Sequence, residues 1–167
     1  MKRIYLLLVV MLLAISLTKA QTTPLQLNDD LASISDSLFA KGQNWGVTFN
    51  EAYKSGNYIL LKPVSGNMLS FINRKTTYVQ NMKDIKNSKP LRMAMLDLLA
   101  FEKKMVIEAF MPFELFTTTT PADKVQAALD SLKEKAVPEN EIIKKLITEQ
   151  EIYGAANGFK VGEETKP

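Results

Sequence analysis

Residues 25–54, LQLNDDLASISDSLFAKGQNWGVTFNEAYK, decide the fold class. Apolar side chains recur in this stretch at intervals of three and four residues, which places them on one face of an α-helix. Gly42 and Gly46 interrupt the pattern, and Gly42 takes a position where a large apolar side chain would otherwise lie. The stretch therefore predicts one long helix, with a kink or a close neighbour at the glycines. The apolar face comprises Leu27, Leu31, Ile34, Leu38, Trp45, Phe49 and Ala52.

Three later stretches have the same spacing and predict helices at about 58–85, 90–116 and 121–157. Pro138 falls inside the last of them, and the sequence leaves open whether it bends that helix or divides it. Because the connections are short, consecutive helices are expected to be antiparallel neighbours. The sequence predicts an all-α protein, an up-down-up-down four-helix bundle.

The ends of these helices also carry signals. Ser88 and Thr120 stand where an N-cap would accept hydrogen bonds from the free amides of the next helix. Gly158 stands where a residue in the left-handed conformation would end the last helix. These residues predict where the third and fourth helices begin and where the fourth ends.

Residues 1–20 have the order of a secretory signal peptide. Lys2 and Arg3 are followed by an apolar run over 4–17 and by small residues before a cleavage site after Ala20. The apolar run is shorter than the roughly 20 residues that span a bilayer, and no cysteine is present that could be lipidated. We expect an exported protein, periplasmic or extracellular, that is not transmembrane once processed.

The remaining residues, 21–167, have the length of a single helical-bundle domain. Lys2, Arg3 and Lys19 account for the formal charge of +3, so the rest of the chain is neutral and no nucleic-acid partner is expected. The sequence has no histidine and no cysteine. This excludes Ser-His-Asp and Cys-His catalysis, ordinary zinc sites and haem held by histidine or thiolate. No catalytic residue, cofactor or metal site is predicted.

One candidate site is a ligand pocket at Gly42, Trp45 and Gly46. The only tryptophan of the chain lies between two glycines, whose missing side chains would leave space for an apolar or ring-shaped ligand. The alternative is that Trp45 is part of the core.

A second candidate is a basic patch that would bind an anionic partner such as a lipid or polysaccharide. The alternative is that these side chains face acidic surfaces of the same protein. The patch comprises Arg74, Lys75, Lys83, Lys86, Lys89 and Arg92.

Glu102 is the one carboxylate on the apolar face of the third predicted helix. A carboxylate in that position needs a partner, for which Glu149 or a lysine is a candidate. The methionines of the chain could in principle bind cuprous ion, but flexible core packing explains them without a metal.

Three stretches resemble a group of exported bacterial surface proteins of unknown function. They are Leu27-Asn28-Asp29-Asp30-Leu31, residues 91–108, and the ending Glu149-Gln150-Glu151-Ile152-Tyr153-Gly154-Ala155-Ala156-Asn157-Gly158-Phe159. Many members of that group look like lipoproteins, whereas this chain lacks the lipidated cysteine. The resemblance implies no activity and no site.

These observations favour a non-enzymatic binding or interaction module that recognises an envelope protein or component through a helical face. The alternative is a carrier or sensor with a pocket between helices near Trp45. A third hypothesis, an enzyme that uses carboxylates alone, requires Glu102 to have a raised pKa.

Overall fold

The computed structural model describes residues 22–162, and within this range all regular structure is helical, with no strand. The all-α prediction is confirmed. The predicted signal peptide lies outside the described residues. The elements are α1 (Pro24–Ser55), a 3₁₀ turn (Tyr58–Leu60), α2 (Leu61–Asn81), α3 (Lys89–Met105), a π-helical segment (Val106–Phe110), a second 3₁₀ turn (Met111–Leu115), α4 (Ala122–Ala136) and α5 (Glu139–Asn157).

Helix α1 runs without interruption through both glycines. A Cβ atom at Gly42 or at Gly46 would meet nothing within 4 Å. The predicted close neighbour is therefore wrong, and open space lies beside the helix at both positions. The helix begins with a capping box, in which the Thr23 hydroxyl accepts from the Gln26 amide and the Gln26 side chain accepts from the Thr23 amide.

The third predicted helix is shorter than expected because its regular ladder ends at Met105. Pro112 has no N–H for the carbonyl four residues earlier, and the chain passes through the π segment before it. The wider π turn advances the buried position by one residue. Phe113 is consequently fully buried, whereas the spacing of apolar residues in the sequence places Pro112 on the buried face.

Pro138 divides the fourth predicted helix into α4 and α5. A proline at this position cannot donate to the carbonyl of Glu134, and the Val137 amide instead donates to that carbonyl in a tighter turn, at 3.2 Å. Gly158 ends α5 in the left-handed conformation, as predicted, with φ 77°.

The predicted side-chain caps are absent at both helix starts, although Ser88 does occupy the N-cap position of α3. The Ser88 hydroxyl accepts from the Ile85 amide at 2.9 Å and makes no bond to the amides of α3. The Thr120 hydroxyl accepts from the Thr117 amide at 2.8 Å, and α4 begins after Pro121 without a side-chain cap. Both hydroxyls close the preceding loop, because these short polar side chains bond local backbone in turns as readily as at helix ends.

The core has two clusters. The larger one joins α1, α2, α3 and α5 through aliphatic and methionine side chains, including Leu31, Ile72, Met95, Leu99 and Leu146. The smaller one is aromatic and lies under the 3₁₀ turns and α4. Its buried members are Trp45, Ala52, Tyr58, Leu61, Phe113 and Val125.

Polar contacts tie the helices together at several levels. The Tyr78 hydroxyl donates to Asp30 at 2.9 Å, which joins α2 to α1. The Tyr153 hydroxyl donates to the carbonyl of Ile85 at 2.9 Å, which joins α5 to the loop before α3. Lys145 of α5 pairs with a carboxylate of α3, Asp97, at 2.7 Å.

Within residues 22–162, every helix is too short or too polar to cross a bilayer.

The chain folds back over the end of α5. The Phe159 amide donates to the carbonyl of Gly154 at 3.0 Å, and the Phe159 ring packs edge-on against Tyr153. A Cβ atom at Gly154 would lie 2.8 Å from the Phe159 carbonyl oxygen. The glycine is therefore required by the close approach of the returning backbone.

This packing predicts opposite effects for two glycine-to-alanine substitutions. Gly154→Ala should lower the free energy of unfolding by about 1–3 kcal/mol, because the backbone must move away. Gly46→Ala is the matched control in open helical space and should raise it by up to about 1 kcal/mol. Thermal or urea unfolding measures both, and a destabilised Gly46→Ala or a neutral Gly154→Ala would contradict the packing.

Candidate functional site

A pocket of about 550 Å³ lies where α1, α3 and α5 meet, above Met68 of α2. Its volume falls in the range of small-molecule sites, roughly 300–1,000 Å³. We call it the Glu102 pocket. It is lined by Ser35, Asp36, Leu38, Phe39, Gly42, Gln43, Met68, Leu98, Glu102, Met105, Phe110, Glu139 and Ile143.

Gly42 helps to keep this pocket open. It lies among the lining residues of α1, and the space where its side chain would stand is empty to 4 Å. Phe39 precedes it by one helical turn, lines the same pocket and is 68% exposed. A large aromatic ring exposed to this degree at the edge of a pocket offers a ligand an apolar surface.

Glu102 brings a carboxyl group into the pocket from α3. Burial, and to a smaller extent the nearby Glu139 carboxylate, raise its pKa from 4.5 to about 7. The partner considered for Glu102 in the sequence was Glu149 or a lysine, whereas the charged neighbour in the structure is Glu139. Glu102 has no hydrogen-bond partner within the described part of the chain.

The π segment forms one wall of the pocket and links it to the aromatic cluster. Phe110 lines the pocket and also stacks on Trp45, with ring centroids 4.2 Å apart and an angle of 15° between the planes. Helical segments of this type are often found at functional sites. The indole of Trp45 is therefore one aromatic layer behind the pocket.

Of the three residues predicted for a pocket, the structure places only Gly42 in the lining. Trp45 is buried in the aromatic cluster, and its indole N–H has no hydrogen-bond partner among the residues that the structure describes. Gly46 faces open space outside the pocket lining. The pocket that the structure contains lies at the Phe39 side of Gly42 and not between the glycines.

The basic patch residues lie on α2, in the following loop and at the start of α3. Arg92 is paired with Asp84 through two bonds of 2.8 and 3.2 Å. Arg74 donates to Ser70 on its own helix, and Lys75 lies over the rings of Phe71 and Tyr78. Lys83, Lys86 and Lys89 are exposed. Binding of an anionic partner stays a prediction.

The Glu102 pocket offers apolar contact and a carboxyl group that titrates near neutral pH. Between residues 22 and 162 no group of three or more acidic side chains is arranged to hold a metal ion. The mainly apolar lining, with a carboxyl group beside it, suits contact with an organic molecule.

No protein-family model matches the chain, and the searches of curated proteins and of solved structures find no match.

Sequence reasoning missed Phe39, Glu139 and Phe110 as pocket residues. A usable signal existed for Phe39, which lies three residues before Gly42 and four before Gln43, so all three share a helical face. Glu139 had no such signal, because its orientation depends on how α5 restarts after Pro138.

The raised pKa of Glu102 predicts a pH-dependent stability. Because the folded pKa of about 7 lies above the ordinary 4.5, folding favours the protonated form. The free energy of unfolding should fall as pH rises from about 4.5 to about 7, and the cost of ionisation, about 2–3 kcal/mol, is fully present above that range.

Glu102→Gln should remove this dependence. The variant is expected to be about 2 kcal/mol more stable than the parent near pH 8 and nearly equal to it near pH 4, by urea unfolding at each pH. Glu151→Gln, which changes an exposed carboxylate outside the pocket, is the control and should follow the parent. A Glu102→Gln profile that parallels the parent would show that Glu102 ionises normally.

Proposed function

We propose that this chain is an exported helical protein that binds a small, largely apolar organic ligand in the Glu102 pocket without transforming it. The observation that carries the proposal is the open pocket itself, with its mainly apolar lining and the Glu102 carboxyl group, which has no hydrogen-bond partner among residues 22–162. A pocket with convergent polar groups and a perturbed pKa is the usual form of a ligand site.

The architecture supports this reading because the pocket depends on one absent side chain. Gly42 lines the pocket, and a side chain at position 42 would enter open space beside α1. Gly42 costs helix stability of about 1 kcal/mol relative to alanine, and no close approach of backbone requires it. Its effect is to leave space beside Phe39 and Glu102.

The proposal includes the up-down arrangement of the helices. The bond from Tyr78 to Asp30 brings the end of α2 beside the start of α1. The bond from Tyr153 to Ile85 brings the end of α5 beside the start of α3. Both contacts support antiparallel pairs. They are what the short connections of the sequence predict.

Export is part of the proposal on the strength of residues 1–20, whose basic, apolar and small-residue regions follow the order of a signal peptide. A binding protein outside the cytoplasm would meet ligands or envelope components there. Recognition of an envelope partner through a helical face is compatible with a ligand in the pocket.

A second candidate function is an enzyme that uses Glu102 as a general acid. The raised pKa of Glu102, about 7, meets the condition set for that hypothesis, and Glu139 supplies a second carboxylate in the same pocket. Binding is favoured because the rest of the wall is mainly apolar. Incubating each bound compound with the protein and analysing the compound afterwards separates binding from catalysis. A compound that is recovered unchanged supports a carrier. Formation of a product supports an enzyme.

The proposal predicts that filling the space at position 42 abolishes binding. A thermal-shift screen of apolar molecules with different head groups should find one that stabilises the parent. At about 100 times its Kd such a ligand adds about 2.7 kcal/mol to the free energy of unfolding, a rise in Tm of roughly 5–10 °C. Gly42→Leu should lose this rise.

Gly46→Leu is the matched control, since it adds the same side chain to the same helix outside the pocket lining. It should retain the rise in Tm. Trp45 emission, which reports through the stacked Phe110 ring, should follow the same pattern. Binding by Gly42→Leu with the parent's affinity, or a screen without any ligand, contradicts the proposal.

A further inference from the structure

We propose that the ligand of the Glu102 pocket is an organic cation, an amine whose ammonium group lies against Glu102 and whose apolar body fills the space beside Gly42. This inference rests on the proposed function, because it names the ligand class of the same pocket.

All charged side chains that line the pocket are acidic. Asp36 reaches it from α1, Glu102 from α3 and Glu139 from α5. Among the residues that the structure describes, no lysine or arginine contributes to the lining. A carboxylate or phosphate head group placed here would meet like charge on three helices, whereas an ammonium group would be attracted to each.

Glu102 and Glu139 lack a donor that would relieve their repulsion. Neither carboxylate has a hydrogen bond within the described residues, and each carries charge of the same sign when ionised. A primary ammonium group has three donors and no acceptor, so it can bond to more than one carboxylate at once. Its arrival replaces a repulsive contact with an attractive one.

The apolar part of the pocket lining determines which groups the cationic ligand must have besides its ammonium group. Phe39, Met68 and Phe110 belong to a lining that is mainly apolar, and the Phe39 ring is exposed. A small hydrated ion would leave this surface in water. Aromatic rings attract organic cations and also pack against apolar groups. An ammonium group with a hydrocarbon or aromatic body satisfies both parts of the pocket.

Binding of such a ligand is coupled to the ionisation of Glu102. An adjacent ammonium group favours the carboxylate form, so binding near neutral pH should release a proton. The charged group that acts on Glu102 is Glu139 of α5. Asp36 of α1 lines the same pocket, and α2 contributes the uncharged Met68. Affinity for an amine should rise as pH increases through about 7.

The test compares octylammonium, octanol and octanoate, which share an apolar body and differ in head-group charge. By calorimetric titration of the purified chain near pH 8, octylammonium should bind about tenfold or more tightly than octanol, and octanoate most weakly. Between about pH 6 and about pH 8 the affinity for octylammonium should rise and that for octanol should not.

Two variants locate the effect. Glu102→Gln should reduce the preference for octylammonium over octanol to a fewfold or less, whereas Glu151→Gln, with the same change in net charge at an exposed site, should retain it. An unchanged preference in Glu102→Gln overturns the inference. Gly42→Leu should bind none of the three compounds.

The outcomes separate this inference from the proposed function. If octanol or octanoate binds as tightly as octylammonium and Gly42→Leu abolishes that binding, the pocket is a ligand site but not a cation site. If none of the three compounds binds, the inference fails, and the screen of apolar molecules with different head groups decides the proposed function.

Discussion

A carboxyl group that is largely removed from water beside a second carboxyl group is the constraint on which the site depends. Glu102 holds this position because α3 is anchored on the aliphatic core by Leu98 and Leu99, so the helix cannot rotate to return the carboxyl group to solvent. Burial and Glu139 both oppose its ionisation. The rest of the bundle must supply the stability that this arrangement removes, and apolar packing is its main source because the chain has no cysteine for a disulfide.

The elements around Glu102 depart from regular helix structure on two sides. The π segment begins four residues later and turns Phe110 toward the pocket, with Trp45 stacked behind it. Pro138 restarts the chain so that Glu139 enters the pocket from the first turn of α5. On the third side α1 is regular but lacks a side chain at Gly42. The pocket thus results from a missing side chain and two irregular segments, and the core residues Leu38, Met68 and Leu98 form part of its lining.

The same irregular segments explain how much of the fold and of the pocket could be predicted from the sequence. The apolar stripe of residues 25–54 predicted α1 almost to its ends, because one unbroken helix keeps its phase. That stripe also marked Gly42 as unusual, and the apolar face of the third predicted helix marked Glu102. Apolar periodicity failed where the buried face shifts around the helix. The π turn moves burial to Phe113. The break at Pro138 sets the rotation of α5 independently of α4. Periodicity reports which residues of one helix share a face, and not which faces of different helices meet.

The central claim is that Glu102 is held in the pocket as a carboxyl group that ionises near neutral pH. The most direct test is a carbon-detected NMR titration of the side-chain carboxyl of Glu102, assigned by comparison with Glu102→Gln. The account predicts a midpoint at about pH 7, well above the ordinary 4.5. A midpoint near the ordinary value would show that Glu102 is solvated, and would contradict this account of the pocket.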